Sequence, residues 1–357
     1  IMGHLVLARK LRPKKFSEVI GQAHITTSLK NALLSDRVGH AYLFAGTRGI
    51  GKTSVARLFA KSLRCEERTA EADSCGSCMS CLDFETTNPM NILEIDGASN
   101  NSVDNIRELV SNVQYLPTSG KYKIYIIDEV HMLSVSAFNA LLKTLEEPPE
   151  HVIFMFATTA PEKLLGTVLS RCQRFDFRSA TVTDLRDHIS NISKSEEITF
   201  GDPKIIDQLA LQGRGSVRDT LSLLDQVLSF TTEKHISEEV MVQALGLARM
   251  SAIKRIGTAI LVGDKQERFK VYHSMMHENV LLTNMLSALS DFFFRLIENI
   301  DHLDKLLDRD LADEEFINSI TASELFWVFE TLSKDTSWIF DALNTEVIAE
   351  VILQKLS

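Results

Sequence analysis

Gly46-Thr47-Arg48-Gly49-Ile50-Gly51-Lys52-Thr53 decides how this chain is read. The octapeptide follows an apolar run, Ala41–Ala45, and opens a helix-like segment at Ser54–Leu63. Strand, glycine-rich turn and helix in that order are the setting in which G-x-x-x-x-G-K-[ST] forms a phosphate loop. Its glycines let the backbone curl so that N–H groups and a helix N-terminus face a triphosphate. Residues Gly46 to Ser54 are therefore expected to cradle a nucleotide. Lys52 would reach the outer phosphates, and the Thr53 hydroxyl would serve Mg²⁺.

Two further apolar runs end in groups that suit such a site. Ile124-Tyr125-Ile126-Ile127 leads into Asp128-Glu129. Side chains alternate along an extended chain, so the two carboxylates can hold separate roles. Asp128 is expected on Mg²⁺, and Glu129 on the attacking water. A simple binding module has no use for Glu129, so its presence favours hydrolysis. Val152–Ala157 ends in Thr158-Thr159, and either hydroxyl could sense the terminal phosphate. Arg171 in Ser170-Arg171-Cys172 and Arg218 in Gly215–Asp219 read, by pattern alone, as ordinary salt-bridge arginines.

Around these motifs, short apolar runs (41–45, 91–95, 123–127, 152–158, then 174–178) alternate with helix-like segments. That alternation predicts an α/β domain with a largely parallel sheet. All seven prolines lie at or before Pro203, so residues 204–357 can be helical almost throughout. The expected class is α/β followed by all-α. Boundaries near Thr181 and Leu245–Ala248 divide the chain into residues 1–180, 181–246 and 247–357.

A chain of 357 residues is too long for one core, and 45% apolar with 24% charged residues is ordinary globular composition. The net charge of −10 hides a division: residues 1–64 carry 12 Lys and Arg against 2 Asp and Glu. A basic first segment on an acidic body allows a local polyanion site. No apolar run approaches the ~18 residues that span a bilayer, so a soluble, cytoplasmic protein without membrane contact is expected. Ile1–His4 read as a non-native remnant.

Cys65, Cys75, Cys78 and Cys81 are spaced C-x9-C-x2-C-x2-C, with Cys172 apart. In a cytoplasmic setting the cluster argues for metal rather than disulfides. Four thiolates complete tetrahedral Zn²⁺ and leave no position for water, so a structural module at 65–81 is expected. An iron–sulfur cluster and free thiols are the alternatives.

Together these motifs resemble the AAA+ ATPases and, within them, the gamma/tau subunits of bacterial DNA polymerase III, the motor of the sliding-clamp loader. The resemblance covers at least residues 5–225. It includes Leu7–Pro13, Phe16–Gln22, His40–Phe44, Asp128–Leu133 and the specific run Phe138–Pro149. It implies a parallel-sheet ATPase domain with a zinc insertion, a small helical lid and a C-terminal oligomerisation collar. Arg171 would be an arginine finger for the neighbouring subunit's ATP. Arg218 would be a lid-borne sensor, and Arg12, Pro13 and Ile20 would pack near adenine. Thr159 fits the sensor position better than Thr158. The implied partners are delta- and delta-prime-type subunits, further copies of the chain in a partial ring, the sliding clamp and primed DNA. Two rivals stand beside this reading. A non-hydrolysing structural ring subunit is disfavoured by the intact Lys52, Thr53, Asp128 and Glu129. A helicase or branch-migration motor would need pore elements that the sequence does not display.

Overall fold

The computed structural model describes residues 6–85, 91–336 and 344–356; Ile1–His4 lie outside them. Five strands form the central sheet: β1 (Ala41–Ala45), β2 (Ile92–Asp96), β3 (Lys123–Asp128), β4 (Val152–Thr158) and β5 (Gln173–Asp176). Their spatial order is β2-β3-β4-β1-β5, and every pairing is parallel. All carboxyl ends therefore meet at one edge, where ligands of open α/β sheets bind.

The continuous apolar runs of β1, β3 and β4 reflect burial on both faces. Tyr42, Phe44, Ile126 and Met155 pack against Val55 and Phe59 of the helix Lys52–Arg64. Leu43, Ile127, Phe154 and Phe156 pack the other way, against Ile106, Leu109, Leu141 and Leu145 of the helices Val103–Val113 and Val135–Glu146. Period-two alternation thus sorts β1 between two cores. Phe59 is fully buried, and its replacement by alanine would cost about 3–5 kcal/mol.

The expected class, α/β then helical, is the one observed. Its details differ at three places. The fifth strand covers 173–176 rather than 174–178. The stretch 163–169 divides into a 3₁₀ turn, Pro161–Lys163, and a short helix, Gly166–Leu169. The proline-free region also holds a strand, β7 (His235–Ile236), which pairs in parallel with β6 (Thr199–Phe200). It spans one pairing of two residues, too short to register as a periodic pattern.

The chain gathers into two compact units, Ile1–Ile198 with Ile206–Asp225, and Thr199–Ile205 with Gln226–Ser357. The first holds the sheet and the helix Val182–Glu196, which starts at the capping box Thr181/Asp184. The second is built on one apolar core that runs from Ile253 through Phe293 and Leu325 to Leu353. Within that core Arg268 is fully buried and donates Nη1–H to the Leu353 carbonyl at 2.7 Å. Among the described residues, no helix is long and apolar enough to cross a membrane.

Candidate active site

The chain leaves β1 through Gly46, whose φ of +147° carries the loop away from the sheet. A Cβ there would sit 2.8 Å from both Ile50 Cδ1 and the Phe177 carbonyl, so only glycine fits. Gly49 is equally constrained: a Cβ would collide with Ser216 Oγ. Its carbonyl accepts the backbone N–H of Arg218 at 3.1 Å, which ties the loop to the helix Val217–Ser229. Lys52 is 6% exposed, and its ammonium donates to the carbonyls of Gly46 (2.8 Å) and Thr47 (2.7 Å). Burial pulls its pKa down, while Glu129 and Asp128 oppose the shift.

The two carboxylates face different partners, although Glu129 lies beyond the end of β3 and not in the extended backbone that the sequence suggested. Asp128 Oδ2 accepts the Thr53 hydroxyl at 2.7 Å, and its Oδ1 accepts the Glu129 backbone N–H at 2.9 Å. The two expected Mg²⁺ ligands are thus brought together. Glu129 takes a left-handed backbone (φ +44°, ψ +45°), which is uncommon for a residue with a side chain. Its Oε2 accepts from Thr159 Oγ1 at 2.9 Å and from the Thr159 backbone N–H at 3.3 Å. Thr158 is fully buried, and its Oγ1 lies 3.0 Å from His131 Nδ1. The two threonines therefore face different surroundings, and only the Thr159 hydroxyl meets the acid pair.

A cleft of about 810 Å³ opens over these groups. Arg48 to Ser54, Asp128, Glu129 and Arg218 line it, together with Arg12, Pro13 and Ile20. The N-terminal segment that supplies the last three is fastened along its length. Leu7 N–H meets Asp225 at 2.9 Å, and Lys10 pairs with Glu196 at 2.6 Å. Phe16 N–H meets the buried Asp73 at 2.8 Å, and the Gln22 amide donates to the Arg178 carbonyl at 2.7 Å. Burial, then Arg57, holds the Arg12 pKa below its usual value.

Sequence reasoning missed several groups on the cleft wall: Arg9, Glu94, Asp96 and His188. Asp96 stands in register with Asp128 at the end of β2, and the acid that ends Ile92–Asp96 was a usable signal. Glu94 pairs with Arg57. His188 lies one turn beyond Asp184, and burial lowers its pKa; its surroundings come from tertiary packing, which leaves no local pattern. Arg171 is placed elsewhere. It ends the turn after Gly166–Leu169, where its guanidinium donates to the Thr167 carbonyl (2.7 Å) and to Glu146 (2.8 Å).

Cys65, Cys75, Cys78 and Cys81 present ligand atoms that all lie within 4.8 Å of one another. Four thiolates on one zinc at ~2.3 Å would stand about 3.8 Å apart, and the Cys75 and Cys81 sulfurs are 3.9 Å apart. Backbone N–H groups of Ser77 (3.5 Å) and Cys78 (3.3 Å) point at the Cys75 sulfur and lower its pKa to about 6. Burial raises Cys65, and pushes Cys81 up to about 12. Desolvated thiols of that kind ionise when a cation is bound among them. The donor set fits a closed metal site. The buried Asp73 and Arg68, whose Nη1–H meets the Leu33 carbonyl at 3.1 Å, fasten the insertion to its neighbours.

Residues 21–181 match the family profile described as DNA polymerase III, delta subunit. Residues 184–233 match that of the ATPase lid domain of a DNA polymerase III clamp loader subunit. DNA polymerase III subunit gamma of Buchnera aphidicola is 38% identical over 285 residues, covering 80% of this chain and 76% of that protein. The tau subunit of Bacillus subtilis is 36% identical over 361 residues, 99% of this chain. Subunit tau/gamma of Haemophilus influenzae is 50% identical over 246 residues, 69% of this chain. The chain spans 63% and 35% of the length of those last two relatives. Among solved structures, the Thermotoga maritima branch migration motor RuvB aligns over 70% of this chain and 79% of its own, with TM-score 0.51 and 20% identity. That likeness concerns the fold alone, a parallel sheet with a helical lid.

Proposed function

Because the chain belongs to the gamma/tau family of DNA polymerase III clamp-loader subunits, we propose that it is an ATP-hydrolysing motor of a replicative clamp loader in the cytoplasm. Binding of ATP would favour a partial ring, built with delta- and delta-prime-type subunits and further copies of this chain, that opens a sliding clamp and grips primed DNA. Hydrolysis would release the clamp. Moving such a switch from 1:99 to 99:1 takes about 5.5 kcal/mol of differential affinity.

One observation carries the reading: Thr53 and Asp128 meet at 2.7 Å beside Glu129, on the cleft that the phosphate loop walls. In that arrangement Thr53 and Asp128 would hold Mg²⁺, which supplies charge neutralisation at the phosphates when bound. Lys52 would exchange its two loop carbonyls for phosphate oxygens. Gly46 to Ser54 would surround the triphosphate, with Arg218 contributing from the helix that rests on Gly49. Arg12, Pro13 and Ile20 would take the adenine end. Glu129 would orient water, with Thr159 as the sensing hydroxyl, and Arg171 would serve the adjacent subunit. ATP turnover of the purified chain, with and without clamp and primed DNA, tests the proposal. Turnover indifferent to both would overturn the clamp-loader role.

We assign Zn²⁺ to Cys65, Cys75, Cys78 and Cys81 as a structural ion. Cys78→Ser should release it and lower Tm of the ATPase unit by about 5–10 °C, the shift that some 2–3 kcal/mol produces in a unit of about 150–250 residues, while ATP binding persists. Elemental analysis that finds no zinc, or finds iron, would refute the assignment.

We further divide the chain into an ATPase domain (1–180), a lid (181–246) and a collar (247–357) that joins subunits. A fragment of residues 1–245 should then sediment as a monomer and still bind ATP. Assembly of that fragment equal to the full chain's would overturn the collar role.

A further inference from the structure

We propose that His131 is a positioning residue for Glu129: its Nδ1–H hydrogen-bonds Thr158 Oγ1 at 3.0 Å and holds the ring nitrogen 3.4 Å from the carboxylate, at ion-pair distance. The inference rests on the reading of Glu129 as the group that acts on water. The left-handed backbone at Glu129 and the single 3₁₀ turn Val130–Met132 fold His131 back beside the acid it follows. Its ring is nearly buried, with Nδ1 3.4 Å from Glu129 Oε2 and 3.0 Å from Thr158 Oγ1. Thr159 places its N–H and its hydroxyl on the same Oε2. The hydrogen bonds and the ion pair of the carboxylate among the described residues all fall on that one oxygen, which leaves Oε1 for a water.

Donor arithmetic fixes the role of the ring. An ionised carboxylate only accepts, so Nδ1 supports it only while carrying a proton. The opposite tautomer would set a lone pair against Oε2 and leave Thr159 to hold the acid alone. Thr158 Oγ1, which already accepts the Ala160 N–H at 3.0 Å, keeps a second lone pair for Nδ1–H. The ring therefore spans the end of β4 and the acid after β3. It fixes Glu129 at a point where a displacement of about 1 Å can cost 10²-fold in rate.

Isosteric amides separate this role from packing. Asparagine sets its N–H₂ near the place of Nδ1, whereas glutamine sets it farther out, near Nε2. In the assembled loader with clamp and primed DNA, His131→Ala and His131→Gln should lower kcat by about 10- to 100-fold. KM for ATP should stay within about twofold, since His131 is not among the residues that line the cleft. His131→Asn should recover most of the rate, and all three variants should match the parent in Tm within a few degrees. His131→Ala combined with Glu129→Gln should be no slower than Glu129→Gln alone, because a residue that acts through Glu129 has nothing left to position. An unchanged kcat in His131→Ala overturns the proposal. So does asparagine no better than glutamine, or a double variant slower than either single one. If Glu129→Gln itself still hydrolyses ATP, it is the reading of Glu129 that fails, and this arm identifies that failure separately.

Discussion

Glu129→Gln is expected to leave ATP bound at close to parental affinity and to lower turnover by about 10²–10⁴-fold, the range a positioned acid–base group supplies. The amide oxygen can still accept from the Thr159 hydroxyl that now meets Oε2 at 2.9 Å, so the side chain keeps its place. It cannot act on water as a carboxylate does. Lys52→Ala should fail earlier, at binding, because it removes the nearly buried ammonium that the outer phosphates require. Titration with a fluorescent nucleotide and release of phosphate, measured on both variants, separate the two steps. Equal loss of affinity in both would show the roles of Lys52 and Glu129 to be wrongly divided.

The second large effect concerns Arg171, whose guanidinium is held by Glu146 of its own chain at 2.8 Å. The pair is exposed, with 33% and 51% of the two side chains open to solvent. Such pairs contribute about 0–1 kcal/mol, so turning the arginine toward a neighbouring subunit would cost little. Arginine fingers contribute about 10³–10⁵ in rate in related phosphoryl transfers. A loss toward the low end is expected here, because Lys52 and Arg218 remain. Arg171→Ala should bind ATP nearly normally and hydrolyse it poorly. Arg171→Lys should rescue little, since an ammonium lacks the planar fork that spans two oxygens. Mixing is decisive. Glu129→Gln subunits keep the finger and Arg171→Ala subunits keep the acid, so mixed rings should regain activity that neither variant has alone. If co-assembled mixtures regain nothing, Arg171 is a surface ion pair and no more.

The phosphate loop, the acid pair and the cysteine cluster were legible because each is a local pattern with fixed spacing. The loop's glycines answer a backbone requirement that no neighbour can relieve, as Gly46 and Gly49 demonstrate. β1, β3 and β4 were legible because burial on both faces demands unbroken apolar runs. His188, Glu94 and the pairing of His131 with Glu129 were not. Each gains its surroundings from elements far away or from a turn in an unusual backbone state, and an isolated histidine or glutamate carries no trace of either. Thr158 and Thr159 are equivalent as letters and only the family resemblance favoured Thr159; the end of β4 at Thr158 buries one and leaves the other to meet Glu129. The β6–β7 pair escaped for the opposite reason, being too short to have a period.

The order of strands also has a consequence for synthesis. β1, which carries the phosphate loop, hydrogen-bonds only to β4 and β5, with Ala41 opposite Phe154 and Tyr42 opposite Gln173. A ribosome adding roughly 5–20 residues per second makes β1 wait on the order of ten seconds for those partners. Until β4 is complete at Thr158, Ala41-Tyr42-Leu43-Phe44-Ala45, uncharged and apolar, has neither of those edges to join. The nascent chain is therefore expected to be most vulnerable to misassociation before residue 158 has emerged, and a holdase that shields this pentapeptide would act within that window.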